Sequence, residues 1–396
     1  MRFIHTADWH VGKPFGQVED PEKRIRLQQE RIAAIRRLGA LVRETQAAFV
    51  VVAGDIFDTP SPSRTTVADA FAAIGAIPVP VYAIPGNHDH GGVGSIWEQG
   101  FLREEQARLA PNLHLIIDSA PVTVERLAVI LPCPMARRHQ AGDPTLWLRD
   151  SAAYSGLPAD LPRIVLAHGS VQGFSSSADA DDIAVPTNQL DLSRLPAAEI
   201  DYVALGDWHG TKQVAANAWY AGTPEQDRFA KGGLNDPGNA LLVEITSRQA
   251  GPNVASHRTS RLGWHEWAFS FGSDASLEQF TSECDRLLDG RAGEDLLNLG
   301  LGGTLSFTQS GRYEAYIESL RARLLRLRIE GEIRFVPSDE ELARLQNDPD
   351  NPLVASVARR LAEESQSGDE PTRAVALLAL RQLYAAASAD TGANVQ

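Results

Sequence analysis

Short β-branched, apolar runs recur through the first half of the chain: Arg2–Thr6, Phe49–Ala53, Val79–Ile84, His114–Asp118, Arg163–Ala167 and Tyr202–Leu205. Each reads as a buried strand. Between the first two, Glu22–Gln46 places apolar residues at helical spacing among Arg, Gln and Glu, which predicts a helix. Ser63–Ala76 predicts a second helix, with Ser63 as its N-cap. Strands alternating with helices predict a layered α/β domain with parallel pairing. Ser119–Leu131 and Trp219–Ile245 are β-rich again, with turns at Gly222-Thr223-Pro224 and Asp236-Pro237-Gly238, and predict a second sheet packed on the first.

The pattern changes after a polar stretch at Thr246–Ser256. Trp264–Phe271, Leu296–Phe307 and Arg328–Val336 read as strands, and Leu277–Leu288 and Tyr313–Arg326 as helices, giving a small α+β domain. From Ser338 the chain turns helical and charged, strongest at Leu353–Glu364 and Pro371–Ala387, with Asp390–Gln396 expected to fray. Three regions follow: residues 1–250, 257–337 and 338–396. No internal repeat or long low-complexity tract interrupts them.

Composition narrows the class. With 396 residues, 43% apolar and 22% charged, the chain has ample material for more than one core. No run approaches the roughly 18 consecutive apolar residues of a membrane helix. The start runs straight into the first chemical block, so no cleavable leader is read there. Cys133 and Cys284 are the two cysteines, far apart, and are read as reduced thiols in a cytoplasmic protein. The net charge of −14 argues against autonomous, tight nucleic-acid binding, because phosphate contacts are made by basic residues. It does not argue against nuclease chemistry, since metal ligands are themselves carboxylates and bound ions restore positive potential.

The chemistry sits where the strands end. Asp8-Trp9-His10, Gly54-Asp55-Ile56-Phe57-Asp58, Gly86-Asn87-His88-Asp89, His168-Gly169 and Gly206-Asp207-Trp208-His209-Gly210 mostly follow apolar runs. In an open α/β sheet, ligand sites lie beyond the carboxyl ends of the strands. Oxygen and imidazole donors gathered there suit a pair of divalent metals. One ion is assigned to Asp8, His10, Asp55 and His209, the other to Asp55, Asn87, His168 and Asp207, with the two Asp55 oxygens facing one metal each. His88 is left over as the general acid, with the Asp58 carboxylate expected to orient it. Trp9 and Trp208 are expected beside the metals, shielding them from water. Asp89, Asp118 and Asp201 read instead as turn or cap residues, and His5, His90, His114, His139, His257 and His265 as ordinary core or surface histidines.

On these motifs, Phe3–Gly12 and Val52–Asp58 above all, residues 1–228 resemble the calcineurin-like metallophosphoesterases, and within them the SbcD-like (YhaO-type) DNA repair exonucleases. The resemblance implies a two-sheet sandwich flanked by helices, a capping domain that shapes a DNA groove, manganese as the preferred ion, and an SMC-like coiled-coil ATPase partner. It implies that terminal helices, here Leu353–Ala387, hold that ATPase, and that helices near the active domain can form a homodimer. One block departs from the family. Its last motif reads Gly-His-x-His, whereas this chain has Gly206-Asp207-Trp208-His209. A third carboxylate makes the second site harder and more anionic, favouring Mn²⁺ or Mg²⁺.

Three functions follow from this reading. The first is a metal-dependent exonuclease acting on DNA ends in repair. The second is a small-molecule phosphodiesterase or phosphoprotein phosphatase on the same fold. The third is a scaffold subunit that bridges DNA and ATPase with weakened catalysis.

Overall fold

The computed structural model describes residues 1–171, 187–229, 235–288, 290–291 and 293–393. Residues 230–234 of the β-rich Trp219–Ile245 stretch, and 394–396 of the expected frayed end, lie outside the described residues. The chain divides into two compact units, Met1–Leu262 and Gly263–Gln396.

The first unit opens with β1 (Arg2–Thr6), α1 (Pro21–Thr45), β2 (Phe49–Ala53), α2 (Arg64–Gly75), β3 (Val81–Ile84), α3 (Gly100–Leu109) and β4 (Leu113–Leu115). It continues with β5 (Val122–Val124), β6 (Ala128–Cys133), β7 (Arg163–His168) and the short pair β8 (Ser170–Val171) and β9 (Gln189–Leu190). It closes with β10 (Tyr202–Gly206), β11 (Lys212–Ala215), β12 (Ala218–Tyr220), β13 (Asn239–Glu244) and β14 (Asn253–Arg258). These build two six-stranded sheets, ordered β14-β13-β1-β2-β3-β4 and β11-β12-β10-β7-β6-β5.

Both faces of β2 are buried, as its unbroken Phe49-Val50-Val51-Val52-Ala53 run requires. Val50 and Val52 face helices α1–α3 in one core; Phe49, Val51 and Ala53 face the second sheet, packing with Ile164, Leu166 and Ala204. A third core, with Val165, Val203 and Leu205, covers the outer side of the second sheet. The result is the expected sandwich flanked by helices. Ser63 caps α2 by accepting from the Thr66 N–H, and Asp20 caps α1.

Several boundaries differ from the sequence reading. β3 starts at Val81 because Pro80 has no N–H to give the ladder. The Trp219–Ile245 stretch serves both sheets: β12 lies in the second, whereas β13 pairs antiparallel with β1 in the first. The polar Thr246–Ser256 segment contains most of β14, which forms the edge of the first sheet beside β13.

The second unit alternates β15 (Gly263–Phe271), α4 (Ala275–Leu288), β16 (Asp295–Leu305), α5 (Phe307–Arg323) and β17 (Arg326–Gly331), then β18 (Arg334–Phe335). Its strands run parallel, with β16 central. Phe280, Leu297, Leu299 and Leu320 form its core. The unit ends in α6 (Asp339–Gln346), α7 (Pro352–Glu364) and α8 (Glu370–Ala393), which pack around Leu345, Ala358 and Leu380. Helix α8 runs to Ala393, past the point where fraying was expected. Among the described residues, no helix is long and apolar enough to cross a membrane. Both cysteines are buried free thiols.

Candidate metal centre

Each strand that carries a motif delivers its polar residue at the same end of the sandwich. Asp8 follows β1, Asp55 follows β2, Asn87 and His88 follow β3, His168 ends β7 and Asp207 follows β10. Three of these turns hold non-glycine residues at positive φ: Asp8 at 53° and His10 at 42° after β1, Asp55 at 55° after β2 and Asp207 at 102° after β10. Such conformations are costly and persist where the surroundings fix them. Here the surroundings are backbone bonds from Asp8 N to Gly54 O (3.1 Å) and from His10 N to Asp55 O (3.0 Å), which tie the first two loops together. Gly54 has φ +90°, and a Cβ there would run into the His168 ring, so the close approach of that imidazole requires glycine.

One side of the centre is rich in nitrogen. His10 Nε2 and His209 Nε2 lie 3.2 Å apart, with Asp55 Oδ2 at 3.5 Å from the former. The outer nitrogens of both rings face carboxylates. His209 Nδ1 is 3.0 Å from Asp227 Oδ1, and His10 Nδ1 is 3.2 Å from Asp58 Oδ1. Lys13 Nζ lies 2.9 Å from Asp227 Oδ2 and 3.8 Å from Asp58 Oδ1, balancing both acids.

The other side is rich in oxygen. His168 donates from Nδ1 to the Ala53 carbonyl at 2.8 Å, which leaves Nε2 as a bare lone pair. Around that lone pair lie Asn87 Oδ1 at 3.3 Å, Asp55 Oδ2 at 3.6 Å and Asp207 Oδ1 at 3.8 Å. Asp8 joins both sides. It falls in donor groups with His10 and His209 and with Asp55 and His168, and its carboxylate accepts from the Asp207 N–H at 3.0 Å.

These donors fit divalent cations. His209 Nδ1 is hydrogen-bonded to Asp227 and His10 Nδ1 faces Asp58, which turns both Nε2 atoms inward, with Arg228 Nη2 3.3 Å from that of His209; His168 Nε2 faces the oxygens of Asn87, Asp55 and Asp207. Two ligands of one ion at about 2.1 Å can be separated by at most about 4.2 Å, and the contacts of 3.2 to 3.8 Å across each side meet that limit. The proton equilibria agree. Burial, with Asp55 and Asp207 nearby, pushes Asp8 well above the usual carboxylate range, and burial with Asp89 does the same to Asp55. Burial and the neighbouring His209 and His88 hold His10 well below the usual imidazole range. Asp227 goes the other way: burial raises it, but His209, Lys13 and Arg228 together outweigh burial and keep it ionised.

Three placements differ from the sequence reading. The Asp58 carboxylate faces His10; it is the Asp58 carbonyl oxygen that lies 2.8 Å from His88 Nδ1, because the loop turns its backbone toward β3. Asp55 does not offer one oxygen to each side. Its Oδ1 accepts from the His88 N–H at 2.9 Å, so Oδ2 alone lies between His10 and His168. Trp9 is buried in the helix-side core with Nε1 on Thr6, and Trp208 packs with the third core beneath Lys212, so neither is aimed at the donors as a shield. Asp89 holds the Gly86 and Phe57 N–H groups, and Asp201 the Arg163 N–H, as turn residues do. His5 is buried against Tyr202.

Sequence reasoning missed Asp227, Lys13, Ser170 and Arg31. Arg31 is fully buried in α1 and donates to the Asp8, Trp9 and Glu225 carbonyls and to Thr223, joining the first loop to the one carrying Asp227. Its place in a charged helix gave no signal beyond that of a solvated face.

Residues 1–211 match the calcineurin-like phosphoesterase family. The chain belongs to that family. It is also 26% identical, over 257 residues, to the SbcD subunit of the nuclease SbcCD of Bacillus subtilis (strain 168). That similarity covers 59% of this chain and 64% of the relative, just under two thirds of the relative's length.

Proposed function

We propose that the protein is a divalent-metal-dependent phosphodiesterase that cuts DNA from its ends in repair. The observation that carries the reading is the convergence of Asp8, His10, Asp55, Asn87, His168, Asp207 and His209 into neighbouring groups of metal-ligating atoms at ligand–ligand distances. Similarity to a protein named as part of a nuclease supports the choice of a nucleic acid. When bound, a pair of divalent ions supplies Lewis acidity toward a phosphate and acidifies a water. Asp8, Asp55 and Asp207 bring three carboxylates, a hard set that favours Mn²⁺ or Mg²⁺. His88, with Nδ1–H tied to the Asp58 carbonyl, stands in a donor group with His10 and Asp55, and in this reading its Nε2 carries a proton to the departing oxygen.

In this reading residues 257–337 serve as a capping domain, its body beginning at Gly263, and residues 338–396 as a partner-binding region. Exposed Leu353, Val375 and Leu378 on the last two helices support docking of an SMC-like coiled-coil ATPase. The net charge of −14 favours a second reading, a phosphodiesterase or phosphatase for small or peptide substrates. Incubation of the purified protein with linear duplex DNA and Mn²⁺ separates the two: nucleotides are released if the first holds. Turnover of cyclic nucleotides or phosphopeptides without any cleavage of DNA, even with its ATPase added, overturns it in favour of the second.

A further inference from the structure

Asp207 is held on three sides. Its backbone sits at φ 102°, its N–H donates to Asp8, and its Oδ2 accepts from Ser170 Oγ at 2.6 Å. The serine is itself fixed. Its N–H donates to the Asn188 carbonyl at 2.8 Å, where β8 meets β9. On either side of it, Tyr220 donates from its hydroxyl to the Gly169 carbonyl at 2.8 Å and accepts from the Val171 N–H at 2.9 Å. One oxygen of Asp207 is therefore occupied, and the other is left 3.8 Å from His168 Nε2, within the cluster of donors.

We infer that Ser170 is a positioning residue that makes Asp207 a ligand through one oxygen only, and so selects a small, octahedral second ion. The inference rests on the metal reading above. A carboxylate with both oxygens free can chelate, as it does for Ca²⁺, which accepts six to eight oxygens at longer distances. One whose Oδ2 is pinned by a hydroxyl offers a single bond, which suits Mn²⁺ or Mg²⁺. An aspartate is shorter than a histidine, and the hydroxyl fixes the rotamer that a ring would fix by its own size.

The test is calorimetric titration of the metal-stripped full chain with Mn²⁺ and, separately, with Ca²⁺. Wild type takes up two Mn²⁺. Ser170→Ala weakens one of them about ten- to hundredfold, as loss of an outer hydrogen bond to a ligand does, and narrows the preference for Mn²⁺ over Ca²⁺. Ser170→Thr, which keeps the hydroxyl, restores both. In an Asp207→Ala background, Ser170→Ala changes neither affinity. Unfolding temperatures measured alongside separate this from a loss of fold: equal Mn²⁺ affinities in folded Ser170→Ala overturn the inference, as does a further loss in the Asp207→Ala background. If Ser170→Ala does not fold, a Ser170→Thr protein with wild-type stability but altered Mn²⁺ affinity overturns it as well. Fewer than two ions in wild type overturns the metal reading itself, a result distinct from the others.

Discussion

The two sides of the centre hold their imidazoles by different means. His10 and His209 lean on the carboxylates of Asp58 and Asp227, with Lys13 between them. His168 leans on a neutral backbone carbonyl, and its oxygen partners are held by a hydroxyl and by N–H groups. A carboxylate behind a histidine raises its basicity and strengthens its grip on a cation, whereas a carbonyl only fixes the tautomer. The nitrogen side is thus tuned by charge and the oxygen side by geometry. The difference teaches that one centre can be built with two separately adjustable halves.

The largest test removes what the halves share. Asp55→Ala should lose both ions, read by elemental analysis after dialysis, because Oδ2 is the atom common to His10 and His168. A mutant that keeps two ions breaks the shared-oxygen assignment. Next, His88→Ala should retain its metals yet turn over about 10²–10⁴-fold more slowly, as loss of a general acid does. Asp227→Ala strikes only the charge-tuned half: one of two Mn²⁺ affinities should fall about ten- to hundredfold while the other holds. Equal weakening of both would show that the halves are not separable.

A separate effect, on stability rather than on metal binding, lies just outside the centre, in the core between the sheets. Burial brings His5 down to about 3, so it stays neutral in the folded chain and takes up a proton on unfolding below the ordinary imidazole value. A depressed folded value means stability is complete above about pH 6.5 and is lost as pH falls toward 3, by at most about 1.4 kcal/mol per pH unit. In urea titrations at a series of pH values, His5→Gln should flatten that acid limb. An unchanged slope would place the acid sensitivity in a carboxyl held below its usual range, such as Asp227, since Asp8 and Asp55 are shifted the opposite way.

Much of this was legible from residue order alone. Buried strands announce themselves by unbroken runs such as Phe49–Ala53, and the rule that sites follow strand ends brought Asp8, Asp55, Asn87, His168 and Asp207 to one place. What stayed hidden depends on long-range geometry. Asp227 follows His209 by 18 positions in an ordinary turn, and nothing local marks it as the partner of that ring. Whether Asp58 would turn its side chain or its carbonyl toward His88 was settled by the path of the loop, which no periodicity encodes. Arg31 is read as solvated until the 223–225 segment closes over it.

The separation of the parts along the chain has a consequence for synthesis. His10 and His209 touch although 199 positions apart, and Arg31 seals the first loop only by reaching Glu225, 194 positions further on. A growing polypeptide on the ribosome therefore cannot bring these donors together until most of its first unit has emerged. A chain that stops before His209 lacks part of the donor set, however well β1 to β4 pair.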